Sequence, residues 1–244
     1  MKTVGIIPAR YASTRFVGKA LADINGKTMI RRVYEQAQQS HSLSAIFVAT
    51  DDQRIVDEVE SFGGNVIMTS PKHPSGTDRC FEALEKIGKD KYEVVVNIQG
   101  DEPFIHPEQI NKVISSFKNE EVQISTLAHL ITDSRDLNNP SLVKIVKKAN
   151  GEALYFSRSP IPYIRESDNK NWTHAYPFLK HIGIYAYRPH VLEEIVKLPP
   201  SSLEKAECLE QLRWLENGYS IMVEVTDKES FPVDTPEDLK RFMN

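Results

Sequence analysis

A short basic and hydroxyl-rich segment offers the groups that bind phosphate. It directly follows the apolar run Thr3–Pro8, and its charged and hydroxyl residues include Arg10, Ser13, Arg15 and Lys19. Arginine forks and an ammonium neutralise phosphate oxygens, while hydroxyls and free amides orient them. Such a segment can be a solvated loop, but ligands of open α/β sheets bind beyond the carboxyl ends of strands. The segment therefore predicts a triphosphate site, although it matches neither the P-loop nor the dinucleotide-binding motif.

Two carboxylates follow other apolar runs and are candidates for binding a hard cation. Asp101 comes after the run Glu93–Ile98 and the permissive Gly100. Mg²⁺ prefers one or two carboxylates together with phosphate oxygens, which this position can supply. The same Gly-Asp-Glu-Pro sequence is equally good turn chemistry. Asp234 precedes Pro236, and this spacing favours a helix N-cap over a metal ligand.

Three further groups of polar residues have both a functional and a structural interpretation. Ser75 opens a helical pattern, where it can recognise a base edge or phosphate or simply cap the helix. His181 alternates with Tyr185 and Tyr187 along a strand, so these side chains share one face. That face can line a site for a polyhydroxylated ligand, although a lone strand histidine is usually structural. Glu210-Gln211 in a leucine-rich helical pattern is typical of a solvated edge.

The elements that must position these residues alternate regularly in the first half of the chain. Amphipathic helical stretches separate the apolar runs, and Asp51-Asp52 stands where a helix N-cap belongs. The predicted strands are 3–8, 45–50, 66–68 and 93–98, and helices are predicted at 28–39, after 52 and at 77–87. Apolar strands joined by helices indicate a doubly wound, mostly parallel α/β sheet that begins at residue 1.

The second half has a different pattern, with a strong hairpin signal at Asn150-Gly151. Strands are predicted at 124–130, 143–148, 153–156, 180–187 and 219–225, and helices from Pro189, at 203–216 and at 236–243. The stretch 157–177 lacks periodicity and is predicted to be a long functional loop. We expect one domain over 1–244, with a subdomain at about 124–218 that extends the same sheet.

Composition excludes several classes of protein. The 244 residues carry a net charge of −4, with 40 % hydrophobic and 26 % charged residues, a balance that disfavours disorder and a nucleic-acid binder. No apolar run approaches the ~20 residues of a membrane span, and the first predicted strand starts without a preceding signal peptide. Cys80 and Cys208 are expected to be buried thiols in a reducing cytosol. We therefore expect a cytoplasmic protein without nucleic-acid or membrane partners.

Seven sequence blocks, in order from residue 4 to about 240, together resemble one family. They are R-Y-A-S-T-R followed by G-K, S-G-T-D-R, N-I-Q-G-D-E-P, Y-F-S-R-S-P-I-P, H-I-G-I-Y-A-Y, L-E-Q-L-R and V-D-T-P-E-D. The chain is similar to the 3-deoxy-manno-octulosonate cytidylyltransferases, also called CMP-Kdo synthetases. The family usually has Leu-Pro-Gly-Lys-Pro-Leu in the first block, whereas Val17 and Ala20 stand here in place of the prolines. We expect a less rigid loop.

The resemblance implies a nucleotide-diphospho-sugar transferase-like fold with an inserted sugar-binding and dimerisation subdomain, and a homodimer. It implies transfer of CMP from CTP to Kdo, an acidic sugar of lipopolysaccharide, with release of pyrophosphate. Carried over by position, the catalytic residues are Lys19, Arg10, Asp101 and Asp234, with Asp101 and Asp234 holding Mg²⁺. The implied CTP contacts are Arg10, Ser13, Arg15, Lys19, Ser75 and Gln99. The implied sugar contacts are Arg158, His181, Tyr185, Glu210 and Gln211.

Two alternatives remain open at this point. The acceptor can be another acidic sugar, such as 8-amino-Kdo or a nonulosonate like sialic acid. The block from His181 to Tyr187 favours an octulosonate over sialic acid by resemblance. A noncatalytic nucleotide-sensing module is expected to lose Lys19 or a metal carboxylate, and this sequence keeps Lys19, Asp101 and Asp234.

Overall fold

Strands and helices alternate along the chain, of which the computed structural model describes residues 1–12, 16–165 and 172–242. The strands are β1 (Thr3–Ala9), β2 (Asp23–Ile24), β3 (Lys27–Thr28), β4 (Ala45–Thr50), β5 (Val66–Met68), β6 (Val94–Asn97), β7 (Ile124–Leu130), β8 (Lys144–Lys147), β9 (Ala153–Ser157), β10 (Leu179–Tyr187) and β11 (Ile221–Thr226). The helices are α1 (Met29–Gln38), α2 (Gln53–Ser61), α3 (Gly76–Ile87), α4 (Pro107–Ser115), α5 (Ser134–Asn138), α6 (Trp172–Ala175), α7 (Pro189–Ile195), α8 (Ser202–Glu207), α9 (Gln211–Glu216) and α10 (Pro236–Lys240). Short 3₁₀ helices cover Lys19–Leu21, Lys89–Lys91 and Ser116–Lys118.

Nine of the described strands form one sheet. Its order is β11-β7-β10-β6-β1-β4-β5, and β8 and β9 extend it from β10. Strands β6, β1, β4 and β5 run parallel, as the helical crossovers between them require. Strand β10 is antiparallel to β6 and β7, and β11 is parallel to β7. The predicted α/β fold is confirmed, and each antiparallel pair described in its nine-stranded sheet includes β8 or β10 from the second half of the chain.

The core lies on both faces of this sheet. Successive side chains of a strand point to opposite faces, so Ile6 and Ile7 of β1 enter different clusters. Ile6 packs in the cluster of Leu84 from α3, whereas Ile7 packs in the cluster of Val33 from α1 and Val113 from α4. All five side chains are fully buried. Helices therefore cover both faces, as the apolar strand runs predicted, and the predicted N-cap before α2 is confirmed at Asp52.

The predicted helix over 203–216 is wrong, because the chain breaks it into α8 and α9. Cys208 ends α8 in the left-handed conformation, with φ of 52°. The ion pair between Arg213 and Glu204 then holds the two pieces together, with Nη2 and Oε1 2.5 Å apart. Cys80 is buried as predicted, but the break exposes Cys208, so its predicted burial is also wrong. Within the described ranges, no helix has the length and apolar character needed to cross a membrane.

Candidate active site

A crevice opens beyond the carboxyl ends of β1 and β6, the position at which open α/β sheets bind ligands. Its volume is about 300 Å³. The residues that line it are Pro8, Ala9, Arg10, Lys19, Ala20, His73, Pro74, Ser75, Gly76, Arg79, Gln99, Gly100, Asp101 and Asp234. The structure therefore brings together six residues that the sequence singled out from four distant segments. Ser13 and Arg15, from the same predicted set, lie outside the described residues.

The Lys19 ammonium joins the two predicted carboxylates. Its Nζ lies 2.8 Å from Oδ2 of Asp101 and 3.2 Å from Oδ1 of Asp234. The three side chains are 15 %, 27 % and 35 % exposed, so they remain open to the crevice. Two carboxylates that share one cation mark a position where positive charge is stabilised.

The backbone around Lys19 is held in a specific conformation. Gly18 precedes the 3₁₀ helix with φ of +72°, a region that glycine enters without a Cβ clash. Its amide donates to the carbonyl of Tyr11 at 2.9 Å. The Arg54 guanidinium lies 3.3 Å from the centroid of the Tyr11 ring, a cation–π contact from the start of α2. These contacts hold the chain on which Lys19 stands.

The turn that holds Asp101 requires a glycine at the preceding position, Gly100. A Cβ on Gly100 would lie 2.8 Å from the carbonyl oxygen of Pro8, closer than real Cβ contacts come. The turn interpretation of Gly-Asp-Glu-Pro is therefore correct, and the turn also directs the Asp101 carboxylate toward Lys19. The interpretation of Asp101 as a ligand of a hard cation stays a prediction.

Asp234 is not the N-cap that its spacing favoured. The cap of α10 is Thr235, whose hydroxyl accepts from the amide of Asp238, and the Asp238 carboxylate in turn accepts from the Thr235 amide. This reciprocal capping box satisfies the helix start. The Asp234 carboxylate instead accepts a hydrogen bond from Lys19, and the Mg²⁺ contact that the resemblance implied for it stays a prediction.

Glu102 lies behind this cluster and was not predicted from the sequence. It is 7 % exposed, and its Oε1 accepts from the Ser230 hydroxyl at 2.5 Å. Burial raises the pKa of Glu102 to about 7, the Ser230 hydrogen bond opposes this, and the charge of Asp101 adds to it. A glutamate in a turn-like sequence gives no signal of burial.

The start of α3 forms another wall of the crevice. Ser75 caps the helix by accepting from the Asp78 amide at 3.2 Å, so the capping interpretation is confirmed. Arg79, which the sequence analysis did not select, is 4 % exposed. It donates to the Thr69 hydroxyl at 2.6 Å and lies 3.2 Å from an Asp51 oxygen. The Arg79 side chain is thus fixed by ordered partners while it lines the crevice.

Residues of β10 and of the start of α9, which were predicted as sugar contacts, form a second, enclosed polar region. The rings of His181 and Tyr185 have centroids 5.3 Å apart, and Tyr185 stacks with Tyr187 at 6.1 Å. Trp214 from α9 contacts Tyr185 edge-on at 5.0 Å. The predicted shared face of the strand is confirmed.

Burial shifts the pKa values of the titratable groups in this second region toward their neutral forms. It lowers the pKa of His181 to about 3, and the ring lies 3.0 Å from the Thr126 hydroxyl. It raises the pKa of Tyr185 well above the usual range. It also raises the pKa of Glu210, against the hydrogen bond that the Thr77 hydroxyl donates to Oε2 at 2.7 Å. His181 and Tyr185 are therefore neutral donors and acceptors in this region.

Glu210 and Gln211 are not the solvated edge that helical spacing favoured. Gln211 is 5 % exposed and Glu210 is half-buried, because the break at Cys208 turns α9 toward the sheet. The Nε2 atom of Gln211 is buried without a hydrogen-bond partner in the part of the chain that the structure describes. A buried donor of this kind is available to a polar ligand.

Arg158 lies at the end of β9 and outside the lining of the crevice. Its guanidinium donates to three backbone carbonyls, those of Glu207 at 2.7 Å, Pro140 at 3.0 Å and Cys208 at 3.3 Å. These bonds attach the strand end to the break between α8 and α9. Its predicted contact with a sugar carboxylate stays a prediction.

The chain is similar in sequence to known proteins over nearly its whole length. Residues 4–225 match the family model described as "Cytidylyltransferase". The 3-deoxy-manno-octulosonate cytidylyltransferase of Parabacteroides distasonis is 57 % identical, over 99 % of this chain and 96 % of that protein. The 8-amino-3,8-dideoxy-manno-octulosonate cytidylyltransferase of Shewanella frigidimarina is 48 % identical, over 99 % of this chain and 97 % of that protein.

A solved structure is also similar over nearly the whole chain. It is that of a CMP:2-keto-3-deoxy-manno-octonic acid synthetase complexed with CTP, 42 % identical in sequence, with a TM-score of 0.91. The similarity covers 99 % of this chain and 96 % of that one.

Proposed function

The chain belongs to the cytidylyltransferase family and, within it, to the 3-deoxy-manno-octulosonate cytidylyltransferases, and from this premise we propose how its crevice works. The enzyme transfers CMP from CTP to Kdo and releases pyrophosphate. The observation that carries the proposal is the convergence of Lys19, Asp101 and Asp234 beyond the ends of β1 and β6. A triphosphate needs this combination of a cation and carboxylates that can hold a second cation.

On the nucleotide side, Lys19 and Arg10 neutralise the triphosphate. Both line the crevice at the end of β1, and Arg10 is exposed there. Neutralising the nonbridging and leaving oxygens lowers the barrier of a phosphoryl-type transfer more than covalent chemistry does. Ser75 and Gln99, on the walls of the same crevice, are proposed to contact the cytosine and ribose.

The donor set of the crevice fits Mg²⁺. Asp101 and Asp234 are hard oxygen donors from separate segments, and both already reach one ammonium. These two carboxylates would hold a Mg²⁺ ion, which would supply neutralisation of charge on the triphosphate. Lys19, whose ammonium lies between the two carboxylates, is proposed to neutralise the negative charge on the leaving pyrophosphate oxygens.

On the acceptor side, the anomeric hydroxyl of Kdo attacks the α-phosphorus in line with the departing pyrophosphate. The side chains of His181, Tyr185, Glu210 and Gln211 are proposed to bind the sugar hydroxyls. The unpartnered Nε2 of Gln211 supports this assignment, because it is a buried donor open to a ligand acceptor. Arg158 is proposed to bind the sugar carboxylate, whose two oxygens match a guanidinium fork.

Pyrophosphate release with CTP, Mg²⁺ and a panel of acidic sugars tests this function. Kdo is expected to give the highest kcat/KM. The 8-amino sugar is the second candidate, because the Shewanella frigidimarina relative carries its name. Preference for the 8-amino sugar or for a nonulosonate would contradict the assigned acceptor. Absence of turnover with every sugar and nucleotide would favour a noncatalytic nucleotide-sensing module.

Further properties belong to the same proposal. The region at about 124–218 is proposed to be a sugar-binding and dimerisation subdomain within a single domain over 1–244. A homodimer through this region is proposed because the family resemblance implies one. Light scattering after size-exclusion chromatography gives the mass that checks it. A cytoplasmic location is proposed because CTP is a cytoplasmic substrate and the two cysteines are free thiols.

A further inference from the structure

We propose that Glu102 and Ser230 are positioning residues that set the spacing between the Asp101 and Asp234 carboxylates. The inference rests on the proposed function, in which these carboxylates hold the cation. Glu102 acts through its hydrogen bond and does not touch the substrate, since it is absent from the residues that line the crevice in the described part of the chain.

The two carboxylates come from segments that meet only in the folded state. Asp101 lies in the turn after β6, whereas Asp234 lies between β11 and α10, where residues 227–235 form neither helix nor strand. A segment without its own backbone ladder takes its position from contacts with neighbours. The position of Asp234 therefore depends on what attaches this segment to the turn.

Polar contacts within the described residues make that attachment, among them an interaction of the Phe231 amide with the Glu102 carboxylate. The Val233 amide donates to the carbonyl of Asp101 at 2.9 Å, directly beside both carboxylates. The Ser230 hydroxyl donates to Oε1 of Glu102 at 2.5 Å. The buried Val233 side chain adds an apolar contact in the cluster of Ile24 and Met29. The backbone bond and the contacts to Glu102 thus fix the segment, and only the latter can be removed by substitution without a change in the backbone.

The burial of Glu102 is hard to explain by stability alone. The residue is 7 % exposed, and among the described residues its Oε2 has no hydrogen-bond partner. Burying a polar oxygen without a partner costs free energy, and an apolar side chain of similar volume would avoid that cost. An apolar side chain could not accept the Ser230 hydrogen bond. The acceptor function toward the Asp234 segment accounts for a glutamate at this position.

The test measures cation binding directly. Mn²⁺ binding to the full-length enzyme is titrated by electron paramagnetic resonance with a nonhydrolysable CTP analogue present. We expect Ser230→Ala and Glu102→Ala to weaken Mn²⁺ binding about tenfold, the usual loss when an outer partner of a metal ligand is removed. Glu102→Gln keeps the oxygen that accepts from Ser230, so its Mn²⁺ affinity is expected to stay within about twofold of wild type.

A matched control separates positioning from loss of a serine–glutamate bond as such. The Ser116 hydroxyl donates to Oε1 of Glu224 at 3.0 Å, and neither residue lines the crevice. Ser116→Ala is expected to lower Tm by about as much as Ser230→Ala while leaving Mn²⁺ affinity unchanged. Affinity of the CTP analogue without metal is expected to be the same in all of these variants.

Several outcomes overturn the inference. Unchanged Mn²⁺ affinity in Ser230→Ala and Glu102→Ala, with wild type binding normally, would remove the positioning role and leave the proposed function intact. An equal loss in Ser116→Ala, or a full loss in Glu102→Gln, would also contradict it. If the wild-type enzyme binds no Mn²⁺ with the analogue, the proposed cation site fails and this inference fails with it.

Discussion

The crevice at the strand ends and the enclosed region beside β10 differ in the charge and the solvent exposure of their polar groups. In the crevice, Lys19 forms ion pairs with Asp101 and Asp234, and the three side chains stay partly open to solvent. In the enclosed region, burial holds His181 and Tyr185 in their neutral forms. One sheet therefore offers a charged environment and a neutral polar one.

This difference follows from where the residues stand. The crevice residues lie on turns and loops beyond the strands, where solvent screens charge and ligands enter. The enclosed residues lie on a central strand and on α9, where an uncompensated charge would cost about 3 kcal/mol or more. A triphosphate suits the first environment, and the hydroxyls of a sugar suit the second.

The largest effect is expected from Asp101→Asn, which removes a charge from the crevice and keeps the shape. We expect kcat to fall by about a thousandfold, because an amide is a poor ligand for a hard cation. Pyrophosphate release across a Mg²⁺ titration measures it, and circular dichroism checks the fold. Asp90→Asn, at an exposed position before β6 and outside the crevice lining, is the control. Near-normal activity would reduce Asp101 to a turn residue.

Lys19→Ala tests whether the ammonium serves the transition state. We expect kcat to fall about a hundredfold and the KM for CTP to change less, since negative charge develops on the leaving pyrophosphate. Steady-state kinetics with varied CTP separate the two constants. Lys147→Ala removes an exposed lysine at the end of β8 and is expected to change neither. A pure KM effect would assign Lys19 to ground-state binding.

Arg158→Lys sharpens the acceptor side of the comparison. Lysine keeps the charge but loses the fork, so the KM for Kdo is expected to rise by about 30-fold, or about 2 kcal/mol, with almost no change for CTP. Arg135→Lys, at an exposed site, is the control. A fall in Tm with equal weakening of both substrates would instead assign Arg158 to the carbonyl contacts that it makes with Glu207, Pro140 and Cys208.

The smallest effect concerns the pH dependence of stability. In the unfolded chain His181 has its ordinary pKa of 6.5, whereas burial in the folded protein lowers that pKa to about 3. The free energy of unfolding therefore falls as pH drops from 6.5 toward 3. Urea unfolding measures the free energy of unfolding at about pH 7 and about pH 5. The decrease between these two pH values is expected to be smaller in His181→Asn than in wild type, by about 1 kcal/mol. An identical loss would show that the histidine is solvated.

The crevice was predictable to the extent that strand ends determine position. Short apolar runs placed Arg10, Lys19 and Asp101 beyond β1 and β6, and parallel strands bring such residues together. Asp234 was not placed by the same reasoning, because Asp and Thr are both good caps and Thr235 stands one residue nearer the helix. The motif resemblance supplied what local spacing left open.

The burial of Glu102 and the break at Cys208 had no local signal. Glutamate is rarely buried, and the Gly-Asp-Glu-Pro sequence is typical of an exposed turn. Leu209, Leu212 and Leu215 keep helical spacing directly after Cys208, and a left-handed cysteine is uncommon enough that this spacing does not reveal the break. Both features depend on packing between segments distant in sequence.

The exposed left-handed Cys208 has a practical consequence for labelling. Burial raises the pKa of the other thiol, Cys80, and shields it from reagents. A maleimide fluorophore would therefore attach at a single site without any engineered substitution. That site lies between α8 and α9, two residues before Glu210. A dye there would report on rearrangement near the acceptor region in a stopped-flow mixing experiment.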